Sequence, residues 1–277
     1  MMSLSQDTAP EIEALQLELQ RRMAPWRKMA LLGDMHASLA TLALAGLRQL
    51  HPAEPLQTLE RRLADALLGA EIAKQAYGSV GAEGRAQEMA TSFTEVVLRV
   101  TGILEGLGIA YAIGGSVASA IHGVVRSTLD IDIVADLQRG REGELLGALG
   151  EEFYADGESI REAVAQRRFF NLIHLSSSVK VDIFVARPRA FDRAQLSRRQ
   201  RIPLADSPEQ SAYVISAEDI ALAKLDWYRL GEQVSDRQWR DVLGVIKAQG
   251  EALDLDYLRR MAHEMGLADL LERALAM

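Results

Sequence analysis

Asp130 and Asp132 stand two residues apart in the apolar run 129–135, and a third acid, Asp182, stands in a matching run, 179–185. Strand side chains alternate, so Asp130 and Asp132 share one face while Leu129, Ile131, Ile133 and Ala135 share the other. In 179–185 the same alternation puts Lys180, Asp182 and Phe184 opposite Val179, Val181, Ile183 and Val185. If the two strands are neighbours, three carboxylates converge. Acids crowded together repel, and a divalent cation relieves them. Mg²⁺ takes hard oxygen ligands and commonly combines carboxylates with substrate phosphates. Two such ions about 4 Å apart can serve an attacking and a leaving oxygen. An isolated Asp-x-Asp is more often a solvated strand face. Here Gly114-Gly115-Ser116 precedes the pair by a short helix-length segment. The glycines permit positive φ and close backbone approach, Ser116 can cap a helix or meet a phosphate, and the helix start offers free amides to an anion. Alone, this is an ordinary strand-to-helix turn; with no Gly-Lys-Ser/Thr it is not a P-loop. Together the features point to phosphoryl-transfer chemistry on a nucleotide.

Other residues have two readings. Arg126 could meet a triphosphate or form a surface ion pair. His122 packs structurally or lines the site. Arg187, Arg189, Arg193, Arg198, Arg199 and Arg201 make a local basic excess, suited to polyphosphate or RNA or to pairing with the surplus acids on a solvated face. Lys224, in an apolar helix with Trp227, Tyr228 and Arg229, snorkels or neutralises phosphate. His36 and His51 are isolated and read as structural.

The elements that must position these groups form three blocks. Residues 1–77 read as helices: 11–23, then one opened by Pro25 and stopped at His51-Pro52, then 55–77. Residues 78–88, with three glycines, read as a linker. Residues 89–215 alternate: a helix from Phe93 to Leu107, strands at 109–113, 129–135, 169–175, 179–185, 201–204 and 212–215, and helices at 117–122, 140–149 and 160–165. Residues 216–277 read as helices at 218–230, 236–249, 255–264 and 267–275, with Ser216 and Asp219 resembling a capping box. The expected fold class is α+β (mixed α/β): a small mixed sheet flanked by helices, a C-terminal helical bundle and an all-helical N-terminal region.

Composition narrows the function classes. With 277 residues and 48% hydrophobic content, a sizeable core can be buried. The net charge of -8 argues against a protein that coats nucleic acid, though not against a local basic groove. Without cysteine there are no disulfides, zinc-thiolate sites or thiol nucleophiles. No apolar run is read as reaching the roughly 18 residues of a membrane span and the N-terminus is unlike a signal peptide. The expectation is a cytoplasmic protein with no membrane partner.

The Gly114-Gly115-Ser116 turn, the Asp130/Asp132 pair and Asp182 resemble the DNA polymerase beta-like nucleotidyltransferase superfamily. The longer string from Gly114 through Ser119, His122-Gly123, Arg126, Thr128 and Asp130 to Asp132 looks like bacterial uncharacterised nucleotidyltransferase-like proteins related to AbiEii-type toxins. Glu218-Asp219, the segment 224–229 and Arg237-Gln-Trp-Arg-Asp241 strengthen the match, which covers about residues 92 to 275. Val125 stands where relatives often carry proline.

The resemblance implies transfer of a nucleoside monophosphate from an NTP, ATP among the candidates, to a hydroxyl acceptor, with two Mg²⁺ ions (or Mn²⁺). Asp130 and Asp132 would bind metal, and Asp182 would complete the catalytic site. Gly114, Gly115, Ser116, Arg126, Lys224 and Asp241 would serve the nucleotide. The acceptor stays open among RNA, protein and small molecule, and so does homo-oligomer formation. Two alternatives remain: an AbiEii-like toxin acting on tRNA with a fused regulatory helical region, and an inactive nucleotide-binding or scaffolding protein. Residues 1–77 lie outside the resemblance. Met89 stands where a stand-alone chain would begin, which suggests a fusion of two partners.

Overall fold

A computed structural model describes residues 9–78 and 92–277. Of the expected linker 78–88 only Gly78 is described; the rest of it, and Met89, lie outside the described residues. The chain divides into two compact units, each assembled from separate stretches of sequence. The first holds residues 9–29, 112–126 and 186–277; the second holds 30–78, 92–111 and 127–185. The architecture is mixed α/β, with seven strands and thirteen α-helices among the described residues.

The first unit begins with α1 (Pro10–Arg22) and the first turn of α2 (Pro25–Leu50). The end of β1 (Tyr111–Ile113) runs parallel to β7 (Ser211–Val214), which pairs antiparallel with β6 (Gln200–Pro203). After β1 comes α6 (Gly115–His122), which packs on α10 (Ala217–Leu230) and α11 (Asp236–Gln249). On these three helices Val117, Ala118, Leu222, Leu225, Val242 and Val245 are fully buried. The helix α10 starts where expected: Ser216 accepts a hydrogen bond from the Asp219 backbone N–H at 3.1 Å, a cap typically contributing about 1 kcal/mol. The box is not reciprocal, because Asp219 turns its carboxylate to the Tyr257 hydroxyl. The N-terminal stretch is bound into this unit. Arg21 donates to the Lys247 and Ala248 carbonyls, and Lys28 to those of Ile121 and Gly123.

The second unit holds β2 (Asp130–Ala135), β3 (Phe153–Tyr154), β4 (Phe169–His174) and β5 (Lys180–Val185) in the order β3-β4-β5-β2. The β2/β5 pairing is parallel and the other two are antiparallel. The helix α5 (Phe93–Gly106) buries Val96, Val97, Val100 and Leu104. It opens with a full capping box between Ser92 and Glu95.

Some elements differ from their sequence-based expectation. The helix expected over 55–77 is two, α3 (Leu56–Leu68) and α4 (Ala70–Tyr77), because Gly69 takes φ +84 between them. The arginine-rich stretch contains a helix, α9 (Ala190–Ser197), and β3 was not expected from its two-residue signal. The helix α2 is long and apolar enough, by length and composition, to cross a membrane. This differs from the sequence-based expectation of no such run: scattered polar residues interrupt the apolar ones, while leucines and alanines keep the average apolar.

Gly123 lies where a side chain has no room. A Cβ there would meet the Ser119 carbonyl oxygen and Val245 nitrogen at 2.9 Å and the Gly244 carbonyl carbon at 3.0 Å. Gly123→Ala is expected to lower unfolding free energy by about 1–3 kcal/mol, the cost of overpacking against rigid backbone. A denaturant midpoint unchanged from the parent would contradict this packing.

Candidate functional site

In the second unit, β2 and β5 are neighbours in register, with Asp132 opposite Asp182 and Asp130 opposite Lys180. The alternation read from the sequence holds. Ile131, Ile133 and Ala135 are buried, while Asp130, Asp132 and Val134 are partly exposed. The carboxylates therefore share one sheet face.

Lys180 occupies the middle of that face. Its Nζ lies 2.8 Å from Asp182 Oδ2 and 3.8 Å from Asp130 Oδ2. Burial pushes the Lys180 pKa down. The hydrogen bond and charge of Asp182, joined by Asp130 and Asp132, outweigh burial and leave it above the ordinary value. Asn171, opposite Asp182 on β4, donates Nδ2–H to Asp182 Oδ1. Thr128 Oγ1 donates to Asp130 Oδ1 at 3.0 Å. The acids are thus oriented by an ammonium, an amide and a hydroxyl. As they stand, no group of three or more Asp, Glu or His side chains among the described residues is placed to hold a metal ion. The donor set itself suits one: carboxylate oxygens are the hard ligands Mg²⁺ prefers. Lys180 was noted in the sequence only as sharing the face, and its i, i+2 spacing to Asp182 was the available signal. Asn171 had none, since its place depends on β4/β5 register.

The first unit gathers four other expected residues. Arg126 is bidentate on Asp241, with Nε 2.6 Å from Oδ1 and Nη2 on Oδ2, and the same Nη2 donates to Ser116 Oγ at 2.9 Å. Lys224 Nζ lies 2.9 Å from Asp241 Oδ2. The Lys224 and Asp241 side chains are 6% and 5% exposed, so this is a buried ion cluster. Asp241 is a clamp for two cations, a role the spacing of residues 126, 224 and 241 did not disclose. Gly114 is the N-cap of α6 and Gly115 has φ +54, as a tight turn requires. Ser116 lies inside the first turn, past the Gly114 cap, and its hydroxyl accepts from Arg126.

His122 is structural: buried, with Nε2 2.7 Å from the Ile215 carbonyl and a pKa lowered chiefly by burial. His36 is buried against Phe93. The arginine-rich stretch is largely engaged internally. Arg189 pairs with Asp192, Arg198 pairs with Glu218 and lies over Tyr257, and Arg199 and Arg201 lie over Tyr213.

No family model matches the chain, and no curated protein matches it. Among solved structures it is similar to the antibiotic-resistance factor ANT(2'')-Ia, at 15% identity and a TM-score of 0.40, over 66% of this chain and 97% of that one. It is also similar to an antigenic nucleotidyltransferase-like protein from Paracoccidioides brasiliensis, at 17% identity and a TM-score of 0.40, over 66% of this chain and 91% of that one.

Burial raises the Asp241 pKa, but the hydrogen bond from Arg126 and the charges of Lys224 and Arg126 prevail and hold it below the ordinary 3.8. A depressed carboxyl pKa stabilises the fold fully above the unfolded value, and this stabilisation drains as pH falls through the folded one. Asp241→Asn is expected to cost about 3–5 kcal/mol at neutral pH by leaving Lys224 buried without a counter-ion. Its deficit relative to the parent should narrow below about pH 3.8. Urea unfolding across pH 2–8 checks both; a deficit independent of pH would show that the clamp is not ionic.

Proposed function

We propose that the Asp130, Asp132 and Asp182 face serves a metal-dependent nucleotidyltransferase. The observation that supports this reading best is the parallel β2/β5 register, which sets Asp132 beside Asp182 on the face that also bears Asp130. Three carboxylates against the single ammonium of Lys180 leave two negative charges, a balance suited to a divalent cation. Asp130 and Asp132 would hold the ion and Asp182 would complete the set. When bound, Mg²⁺ would neutralise phosphate charge and favour loss of pyrophosphate.

The chain's own residues do the positioning. In the reaction, an acceptor hydroxyl oxygen attacks the α-phosphorus of an NTP in line. The new O–P bond forms as the bond to the bridging oxygen breaks, and pyrophosphate leaves. Asp182 would accept the hydroxyl proton. Lys180, held on Asp182, would keep that carboxylate oriented and give up part of its hold when the ion arrives. Asn171 and Thr128 would fix the rotamers of Asp182 and Asp130. In the first unit, taken by itself, Gly114, Gly115 and Ser116 with Arg126 and Lys224 are assigned to phosphate recognition. Asp241 keeps both cations aligned.

A second reading is favoured by one observation. Lys180 already gives Asp182 a cation at 2.8 Å, so the face can be stable without metal. That is the arrangement expected of a nucleotide-binding domain that has lost catalysis.

One experiment separates the readings. The full chain is incubated with each NTP, Mg²⁺ and pools of RNA, protein and small hydroxyl acceptors, and pyrophosphate release and metal-dependent NTP binding are measured. Catalysis predicts pyrophosphate release abolished by chelation, and reduced at least ~100-fold in Asp132→Asn and Asp182→Asn, the upper end of what losing an outer-shell partner costs. NTP binding with no pyrophosphate from any pool favours the inactive domain. Activity unaltered in both variants would sink the acid-face proposal.

A further inference from the structure

A cavity of about 840 Å³ lies within the first unit, and its lining includes none of Arg126, Asp241 and Lys224. Met23, Pro25, Ile121 and Ile202 supply apolar wall. Lys28, on the first turn of α2, also lines it and is only 4% exposed. The Lys28 ammonium donates to the carbonyls of Ile121 and Gly123, both at 2.9 Å. These are its hydrogen bonds among the described residues, and no carboxylate pairs with it. An ammonium has three N–H donors, so one is left over.

A buried ammonium normally finds a carboxylate, because desolvation of a lone charge is costly. Here burial pulls the Lys28 pKa from 10.5 to about 8, which leaves the group mostly protonated at neutral pH. The other ionisable groups on the wall do not satisfy it. Arg21 is a second cation, engaged with the Lys247 and Ala248 carbonyls. His122 is buried, its pKa lowered and its ring tied to Ile215. Glu251 is the one carboxylate in the lining, and it makes no ion pair with Lys28. Arg21 also has Glu18 at 3.7 Å, so the cation of the wall that lacks an ion-pair partner is the Lys28 ammonium, beside apolar surface.

We propose that this cavity binds a small amphipathic molecule bearing one acidic oxygen group, a carboxylate or a phosphate ester. The acidic group accepts the third N–H of Lys28 and the molecule's body lies on the apolar wall. The ligand supplies the counter-ion the fold withholds, so the ammonium is a recognition element beyond its structural hold on α6.

The test uses the full chain and three probes of similar shape: benzoate, phenyl phosphate and neutral benzamide. Affinities are measured by calorimetry or ligand-observed NMR at pH 7. The expected result is that benzoate or phenyl phosphate binds at least tenfold tighter than benzamide, with the better of the two identifying the acid class. Lys28→Met should lose at least tenfold of that affinity. Because this change strips two carbonyls of their donor, Ala252→Trp is the second variant. Ala252 is an exposed wall residue, so the indole narrows the space without touching the ammonium. It should weaken binding comparably, and it decides alone if Lys28→Met does not fold. No saturable binding of any probe, benzamide binding equal to the anions, or affinity retained in a folded Lys28→Met or in Ala252→Trp would overturn the proposal.

Discussion

Burying a charge without a partner of opposite sign is costly, and both clusters of candidate residues are built around that constraint, whereas Lys28 is held by carbonyls alone. On the acid face, β2/β5 pairing brings three carboxylates within the field of one ammonium, Lys180. In the first unit the signs invert: one carboxylate, Asp241, sits between Arg126 and Lys224. An ion stranded in a low-dielectric interior costs several kcal/mol. The lone partner of each cluster therefore offsets part of the charge gathered around it. Their residual charges differ in sign: the acid face keeps a negative excess and the Asp241 clamp a positive one.

That difference limits what each cluster can attract. A surplus of negative charge on partly exposed oxygens favours a hard cation over an anion, and Lys180 lowers the self-repulsion that would otherwise splay the acids. The clamp does the reverse. Its carboxylate absorbs one positive charge and holds the Arg126 guanidinium by two bonds, leaving a preoriented cationic surplus. Preorientation matters because a guanidinium already fixed loses less freedom when it meets an anion. Ser116, in the first turn of α6 after the Gly114 cap, is part of this arrangement as an acceptor for Arg126.

Much of this was legible in the residues. Period-two alternation in 129–135 and 179–185 placed the acids on one face because strand geometry leaves little freedom. Ser216 announced the start of α10 because a side-chain oxygen at that position satisfies an otherwise orphan N–H. What escaped depends on partners distant in sequence. Asn171 reaches Asp182 through antiparallel register, and Asp241 reaches Arg126 across 115 positions. No local pattern encodes such pairings. The break at Gly69 escaped for the opposite reason: the leucine and isoleucine stripe continues through it, and only the positive φ of one residue divides the helix.

The N-terminal segment was the least legible part, and its chemistry is informative. In α1 the apolar residues Ile12, Leu15 and Leu19 are exposed, while Glu13 is buried and paired with Lys247. Hydrophobic periodicity therefore pointed to the wrong face. Beside the fully buried Met29, polar contacts at helix ends hold the segment. Arg21 donates to two carbonyls of the last turn of α11, and Lys28 to two at the end of α6. Helix C-termini carry unsatisfied carbonyls and the negative pole of the dipole, so cations there are favoured. Residues 9–29 thus supply capping cations to the helices that carry Ser116 and Asp241. A segment outside the nucleotidyltransferase resemblance contributes to the ends of the helices on which the candidate phosphate-binding residues sit.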